Sequence, residues 1–453
     1  MNFSESINYI KSLDVYGSVL GLSNMIGLAK ELGNPEDSLK FIHVTGTNGK
    51  GSTCAFLSSI LISAGYKVGS YNSPAVLSDV DQYRINMDII SDELYAKAVS
   101  QVKDACERIV AKGGVQPTRF EVETMAAFVA FQISQCDIVV LETGLGGRDD
   151  ATNIIKTAIL HIFTSISYDH EAVLGNTLKD IAENKSHIIK SSAPALMYDR
   201  SPADHDPEIY EVNEVIRNRC IEQGAKLYTV SERDVYNTRC VDGRLLFDLR
   251  RPDIKDVSIF MTGAYQPINA AIAVNAAVIL EKLGYSINED SIREGLKTAR
   301  IPFRFECTSV KCENGKEVDI ILDGAHNPDG AKQFMHSLDL WYRDKDCIFI
   351  TGIFKDKDYN QMARITAGRA SIIYSVENNN SIRALSRTKL ADVLKKYNKN
   401  VLIKDTIEDA INCAIHEASV IMEEKGRKPL ICCFGSLSWL NRAKTAISKI
   451  PVS

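Results

Sequence analysis

Apolar residues recur along the chain in short runs separated by stretches of helical length. The first clear run, Phe41, Ile42 and Val44, passes through the glycine-rich segment IHVTGTNGKGST and predicts a strand, a tight turn and a helix from Ser52 onward. KVGSYNS, a long helical region to Val110, CDIVVLETG, AILHIFTSIS and APALMYD continue the alternation. That rhythm predicts an α/β fold with a mainly parallel sheet covered on both faces. Between Lys226 and Phe260 the pattern shortens to LYTV and RLLFDLR, with Asp242-Gly243 marking a hairpin, so a small antiparallel add-on to the first domain is expected there. Helical spacing returns in PINAAIAVNAAVILEKLG, and Pro302 in ARIPFRFE then interrupts any helix and places a hinge at residues 298 to 306. Beyond it, VDIILDG, CIFITGI, SIIYSVE, NVLIKD and PLICCFG are five candidate strands, each followed by a helical segment. They predict a smaller, doubly wound domain. The expected division is residues 1–299 and 300–453.

Length points to more than one domain, since 453 residues exceed one ordinary core and domain sizes of roughly 100 to 250 residues suggest two or three. A composition of 45% hydrophobic and 25% charged residues excludes disordered and fibrous classes. The net charge of -5 argues against a general nucleic-acid binder. No window reaches the roughly 18 apolar residues that a membrane span requires, and the start MNFSESINYI has no basic region leading into an apolar one. A cytoplasmic protein is the expectation. The 11 cysteines form no C-x-x-C pair, and Cys432 and Cys433 stand in an apolar run, which reads as reduced core residues and not as a zinc site.

Candidate chemistry starts at Lys50. Glycines at 46, 49 and 51 let backbone N–H groups turn inward, a helix N-terminus adds partial positive charge and the lysine a full one, which makes the junction a phosphate cradle. The segment departs from the usual Walker pattern, because Val44 stands where its first glycine belongs and Gly51 separates Lys50 from Ser52. A glycine-rich turn alone would be a tight connection; Lys50, Ser52 and Thr53 favour a nucleotide. Glu142 ends a strand before a glycine loop and Arg148, Asp149 and Asp150, a position suited to magnesium, although such a loop could also be a solvated turn. Asp169 and His170 follow another strand in the same relative place, which favours metal coordination by His170 over a structural role. Lys185 lies in a helical stretch, where a lysine is ordinarily solvated, and its residue type assigns it no role. Asp323, His326 and Asn327 precede Pro328 at a strand end, where they could reach a ribose or a leaving phosphate; a simple helix cap explains Asn327 equally well.

An ordered set of motifs extends over nearly the whole chain: YGSVLGLSNMIGLAKELGNPEDSLKFIHVTGTNGKGST, FEVETMAAFVAF, LETGLGGRDDATN, DHEAVLGNTLKDIAENK, QPINAAIA, DGAHN, FKDKD and FGSL. This set resembles the folylpolyglutamate synthase/dihydrofolate synthase family of the Mur ligase superfamily. The resemblance implies a P-loop NTPase-like first domain and a Rossmann-like second one. It implies that Gly46, Thr47, Asn48, Gly49, Lys50, Gly51 and Ser52 hold the ATP phosphates, with Ser73, Glu142 and His170 as magnesium ligands. Lys185 would be carbamylated and would act with Lys50 and His170 in catalysis. Asn269, Arg304, Asp323 and His326 would lie on the ATP side, and Thr118, Arg119, Phe120, Glu121, Asp149, Asp150 and Ala151 on the pterin side.

The implied reaction is ATP-dependent addition of L-glutamate to dihydropteroate, to folates or to both through an acyl phosphate, releasing ADP and phosphate. Its partners are small molecules, with no nucleic acid or membrane, and a monomer is expected. Departures from the family pattern gather near function: Ala75 after Ser73-Pro74, Tyr265 before Gln266, Ile301-Pro302-Phe303-Arg304 in the linker, and Asn184-Lys185-Ser186-His187. They leave the magnesium and phosphate set intact and bear on substrate choice. The alternatives are a divergent ligase of the same superfamily acting on another acid, a binding-only nucleotide scaffold, and a dinucleotide-dependent oxidoreductase. A scaffold has no need of a metal-ordering set, and GTNGKGS lacks G-x-G-x-x-G.

Overall fold

Fully buried pentapeptides form the middle of each large sheet. Phe41–Thr45 (β1) and Ile138–Glu142 (β5) are buried at every position, as expected of parallel strands covered on both faces. The computed structural model describes residues 1–17, 21–201, 206–312, 314–378 and 383–450; Ser18, Val19 and Leu20 of the YGSVLGL motif lie outside them. The chain forms two compact units. One comprises Met1–Arg239, Leu246–Phe260 and Pro267–Arg300, and the other Cys240–Leu245, Met261–Gln266 and Ile301–Ser453.

The first unit adds Val68–Tyr71 (β2), Tyr83–Ile85 (β3), Asp88–Ile89 (β4), Ala158–Phe163 (β6), Ala195–Tyr198 (β7) and Leu227–Val230 (β8) to β1 and β5. Its eight-stranded sheet runs β4-β3-β2-β5-β1-β6-β7-β8. All pairings from β2 to β8 are parallel, while β2–β3 and β3–β4 are antiparallel. The helix Lys50–Ser63 is buried from Gly51 to Leu61, so it is covered all round and not amphipathic. On the sheet's flank, Phe41 meets Phe128 edge-on at 5.3 Å, and Tyr83 meets Tyr95 at 5.4 Å.

Val235–Val241 (β9), Arg244–Arg250 (β10) and Asp253–Ile259 (β11) form a separate three-stranded sheet ordered β11-β10-β9. Asp242 and Gly243 connect β9 to β10 with φ of 48° and 71°, the left-handed pair of a two-residue hairpin turn. In the second unit, Glu306–Lys311 (β12), Glu317–Asp323 (β13), Cys347–Thr351 (β14), Ala370–Ser375 (β15), Val401–Ile403 (β16) and Leu430–Phe434 (β17) form a sheet ordered β12-β13-β17-β14-β15-β16. Its pairings are parallel except β12–β13.

Three local readings are corrected. LYTV is β8 and pairs in parallel with β7, so it belongs to the main sheet and not to the antiparallel add-on. The stretch expected to be helical up to Val110 first forms β3 and β4, and its helix spans Asp92–Ala111, capped by Ser91. The helix after the glycine loop starts at Lys50, two residues before the expected Ser52, because Gly49 at φ 89° already turns the chain into it. The second unit also holds a sixth strand, β12, whose polar sequence ECTSVK carries no apolar run.

Candidate active site

The order β2-β5-β1-β6, all parallel, brings the carboxyl ends of four strands to one edge of the first sheet. Ligands gather at such edges in open α/β sheets. Asn72 and Ser73 follow β2, Glu142 ends β5, the glycine loop follows β1, and the segment from Thr164 to His170 follows β6.

The loop has little freedom. A Cβ on Gly46 would lie 2.0 Å from Thr164 Oγ1, and one on Gly49 2.5 Å from Asn269 Oδ1, so both positions exclude larger residues on space as well as on φ. The N–H groups of Thr47 and Asn48 donate to the Ser165 carbonyl at 2.6 and 3.3 Å, which pins the loop to the strand end beside it. The Lys50–Ser63 helix has no side-chain cap, and a helix leaves its first-turn N–H groups without intrahelical acceptors, so this end is suited to an anion. Lys50 folds back over the loop, its Nζ donating to the carbonyls of Gly46 and Thr47 at 3.2 Å each and lying 3.9 Å from Glu142 Oε1. Glu142 is 6% exposed, and its Oε2 accepts from Asn72 Nδ2 at 2.8 Å. Asn72 is a residue that sequence reasoning missed; its signal was its place at the end of β2, directly before Ser73.

His170 is exposed, has φ 54° and approaches Asp169 Oδ1 at 3.8 Å. Among the described residues no group of three or more His, Cys, Asp or Glu side chains gathers to hold a metal. Cys432 and Cys433 are buried, whereas Cys240 and Cys307 are exposed.

Lys185 is the largest surprise. It lies near the end of the helix Leu178–Ser186, is 3% exposed, and donates its Nζ to the Gly46 carbonyl at 2.8 Å. Burial, followed by repulsion from Lys50, pulls its pKa down to about 7, against the attraction of Asp169 and Asp150. Asn184, singled out in the sequence only as a departure from the family pattern, ties the same helix to the loop after β5: its Oδ1 accepts from Gly147 N–H and its carbonyl from Arg148 N–H, each at 3.0 Å.

Of the residues expected on the pterin side, Phe120 and Asp150 contact that loop. Thr118 and Glu121 form a buried capping box, in which Glu121 Oε2 accepts from the Thr118 N–H at 2.7 Å and hydroxyl at 2.8 Å. Arg119 bonds Glu123 and Asp14 at 2.8 and 3.0 Å, and the Phe120 ring lies against Gly144. Asp150 is buried, and burial raises its pKa. Its Oδ1 accepts from the Thr152 hydroxyl at 2.5 Å and its Oδ2 from Leu145 N–H at 2.6 Å, so it braces the loop. Because the Thr152 hydrogen goes to Asp150, His43 Nε2 is the donor in the 2.9 Å contact with Thr152 Oγ1. Asp149 is half-buried and Ala151 buried.

In the second unit, Asp323 ends β13 with its Oδ1 on Ala325 N–H at 2.8 Å and its Oδ2 on both Phe305 N–H (2.8 Å) and the Tyr265 hydroxyl (2.7 Å). His326 Nδ1 donates to the Gly324 carbonyl at 2.8 Å. Asn327 caps the helix Pro328–Trp341 by accepting from Gly330 N–H at 2.8 Å, the simpler of its two readings.

Family models agree with this architecture. The Mur ligase middle domain matches residues 44–277, and the Mur ligase, glutamate ligase domain matches residues 303–437. The protein is therefore a Mur-type ligase. It is 32% identical over 367 residues to a dihydrofolate synthase/folylpolyglutamate synthase of Bacillus subtilis, covering 80% of this chain and 82% of that one. It is 31% identical over 401 residues to the folylpolyglutamate synthase of Lacticaseibacillus casei, covering 85% and 87%. The crystal structure of folylpolyglutamate synthase from Thermotoga maritima superposes with a TM-score of 0.80 at 29% identity, over 98% of this chain and 96% of that one. Escherichia coli FolC in complex with DHPP and ADP gives 0.81 at 26% identity, over 99% and 98%. The chain belongs to the dihydrofolate synthase/folylpolyglutamate synthase family. Among the described residues no helix is long and apolar enough to cross a membrane.

Proposed function

We propose that this ligase uses ATP to join L-glutamate to dihydropteroate, to a folyl-glutamate or to both, through an acyl phosphate, releasing ADP and phosphate. The observation that carries the reading is the convergence of Lys50, Glu142 and Lys185 on Gly46 and its loop. Two further features support it: the uncapped helix start and the relatives whose names state this activity.

The loop N–H groups from Gly49 to Ser52 cradle the phosphates, and Lys50 balances charge that grows on the transferring phosphoryl oxygens. The Glu142 carboxylate and the Ser73 hydroxyl are hard oxygen donors of the kind magnesium takes; they would hold it, with His170 at the next strand end. When bound, the ion supplies positive charge to the same oxygens. Lys185, with its pKa near 7, is substantially a free amine at neutral pH. Such an amine adds to carbon dioxide, forming an N–C bond and releasing one proton, and the resulting carbamate would put an anion beside the residues proposed to hold the metal. Asn269 lies against Gly49. Arg304 and His326 meet the nucleotide, while the segments 118–121 and 149–151 frame the acceptor. The working division of domains is residues 1–299 and 300–453.

Glutamate-dependent phosphate release, measured in parallel with dihydropteroate and with tetrahydrofolate, tests the substrate assignment. Release with either one supports it. Release with neither sinks it and leaves a ligase for another acid.

A further inference from the structure

Two phenylalanines flank Arg304 in the left-handed region, Phe303 with φ 59° and Phe305 with φ 56°. Bulky residues rarely adopt that conformation, and it persists only where the surroundings enforce it. Here they do. Phe303 N–H donates to Glu306 Oε2 at 3.0 Å, and its carbonyl accepts from Gly324 N–H at 2.9 Å. Phe305 N–H donates to Asp323 Oδ2 at 2.8 Å, and both rings are fully buried. The backbone on either side of Arg304 is thus fixed, while its guanidinium lies against Gly324 and makes no hydrogen bond among the described residues. Its charge acts on Asp323 and Tyr265, lowering the pKa of each against the effect of burial.

The part that holds Phe305 is Asp323, and the side chain that holds Asp323 is Tyr265, whose hydroxyl donates to the same Oδ2 at 2.7 Å. Without that hydroxyl the buried carboxylate could rotate away from the Phe305 amide. We propose that Tyr265 is a positioning residue for Arg304: through Asp323 it holds the 303–305 turn in the one shape that presents the guanidinium to an anionic ligand. This rests on the reading of Arg304 as a nucleotide contact.

The test is a double-mutant cycle on the full chain, with ADP affinity read by titration calorimetry for Tyr265→Phe, Arg304→Ala and the pair. Arg304→Gln stands in if the alanine variant does not fold. Tyr265→Phe is expected to weaken ADP about tenfold, the scale of one hydrogen bond to a charged group, and to add nothing once Arg304 is gone. Tyr265→His, which offers a ring N–H to the same carboxylate, is expected to restore affinity. Unchanged affinity in Tyr265→Phe, or losses that simply add in the pair, would overturn the positioning role while leaving Arg304 in place. Unchanged affinity in Arg304→Ala would instead remove the nucleotide reading of Arg304, and the inference with it.

Discussion

Lys185 and Gly46 stand 139 residues apart in sequence, yet the lysine Nζ donates to the glycine carbonyl at 2.8 Å. The contact places a second amine, besides Lys50, against the loop proposed to hold phosphate. Repulsion between the two contributes to the lowered pKa of Lys185.

If that amine is carbamylated, enzyme equilibrated with carbon-13-labelled bicarbonate should give a carbamate carbon resonance that Lys185→Ala lacks. The alanine variant should lose most of its turnover and recover part of it with added short carboxylic acids. A labelled enzyme without the resonance would rule the modification out.

Lys50→Ala removes the charge proposed to act on the transferring phosphoryl group. Loss of one such contact typically lowers kcat by about 100- to 1000-fold. Turnover within a few-fold of the parent, measured as glutamate-dependent phosphate release, would contradict the role given to Lys50.

At Gly49 an alanine meets two obstacles, the φ of 89° and the Asn269 oxygen at 2.5 Å. Left-handed backbone alone costs a non-glycine residue about 1 to 2 kcal/mol, so Gly49→Ala should melt several degrees lower by calorimetry. Adding Asn269→Ala relieves the contact but not the backbone, and should recover only part of the loss. An unchanged melting temperature in Gly49→Ala would mean that the loop has another shape.

His161 faces His43 across the β1–β6 pairing, and neither of its ring nitrogens has a hydrogen-bond partner among the described residues. Burial, then the charge of Lys190, lowers its pKa to about 4. The unfolded chain, titrating near 6.5, binds this proton first. The stability contribution is therefore complete above about pH 6.5 and is lost as pH falls through about 4, on the order of 3 kcal/mol in all. His161→Leu should flatten that part of the acid slope in urea unfolding. A slope identical to the parent's would show that the imidazole is hydrated in the fold.

What the sequence disclosed was what neighbouring residues decide. FIHVT followed by glycines and Lys50 reads directly as strand, turn and helix, and Asp242-Gly243 reads as a hairpin, because each depends on contiguous residues. Lys185 did not, since its burial depends on Asn184 clamping the helix to Gly147 and on a loop far away in the chain. LYTV looked like part of a small antiparallel sheet until its pairing with β7 was known, because four residues carry no record of their partner. Asn72 escaped, and Tyr265 stood out only as a departure, for the same reason: their contacts are with Glu142 and Asp323, each more than fifty residues away.

The helix that starts at Lys50 shows no face to water between Gly51 and Leu61. Its amide protons can exchange with deuterium only when the surrounding sheet loosens, so they belong to the slowest class in the unit. The cup at its first turn inherits that stiffness.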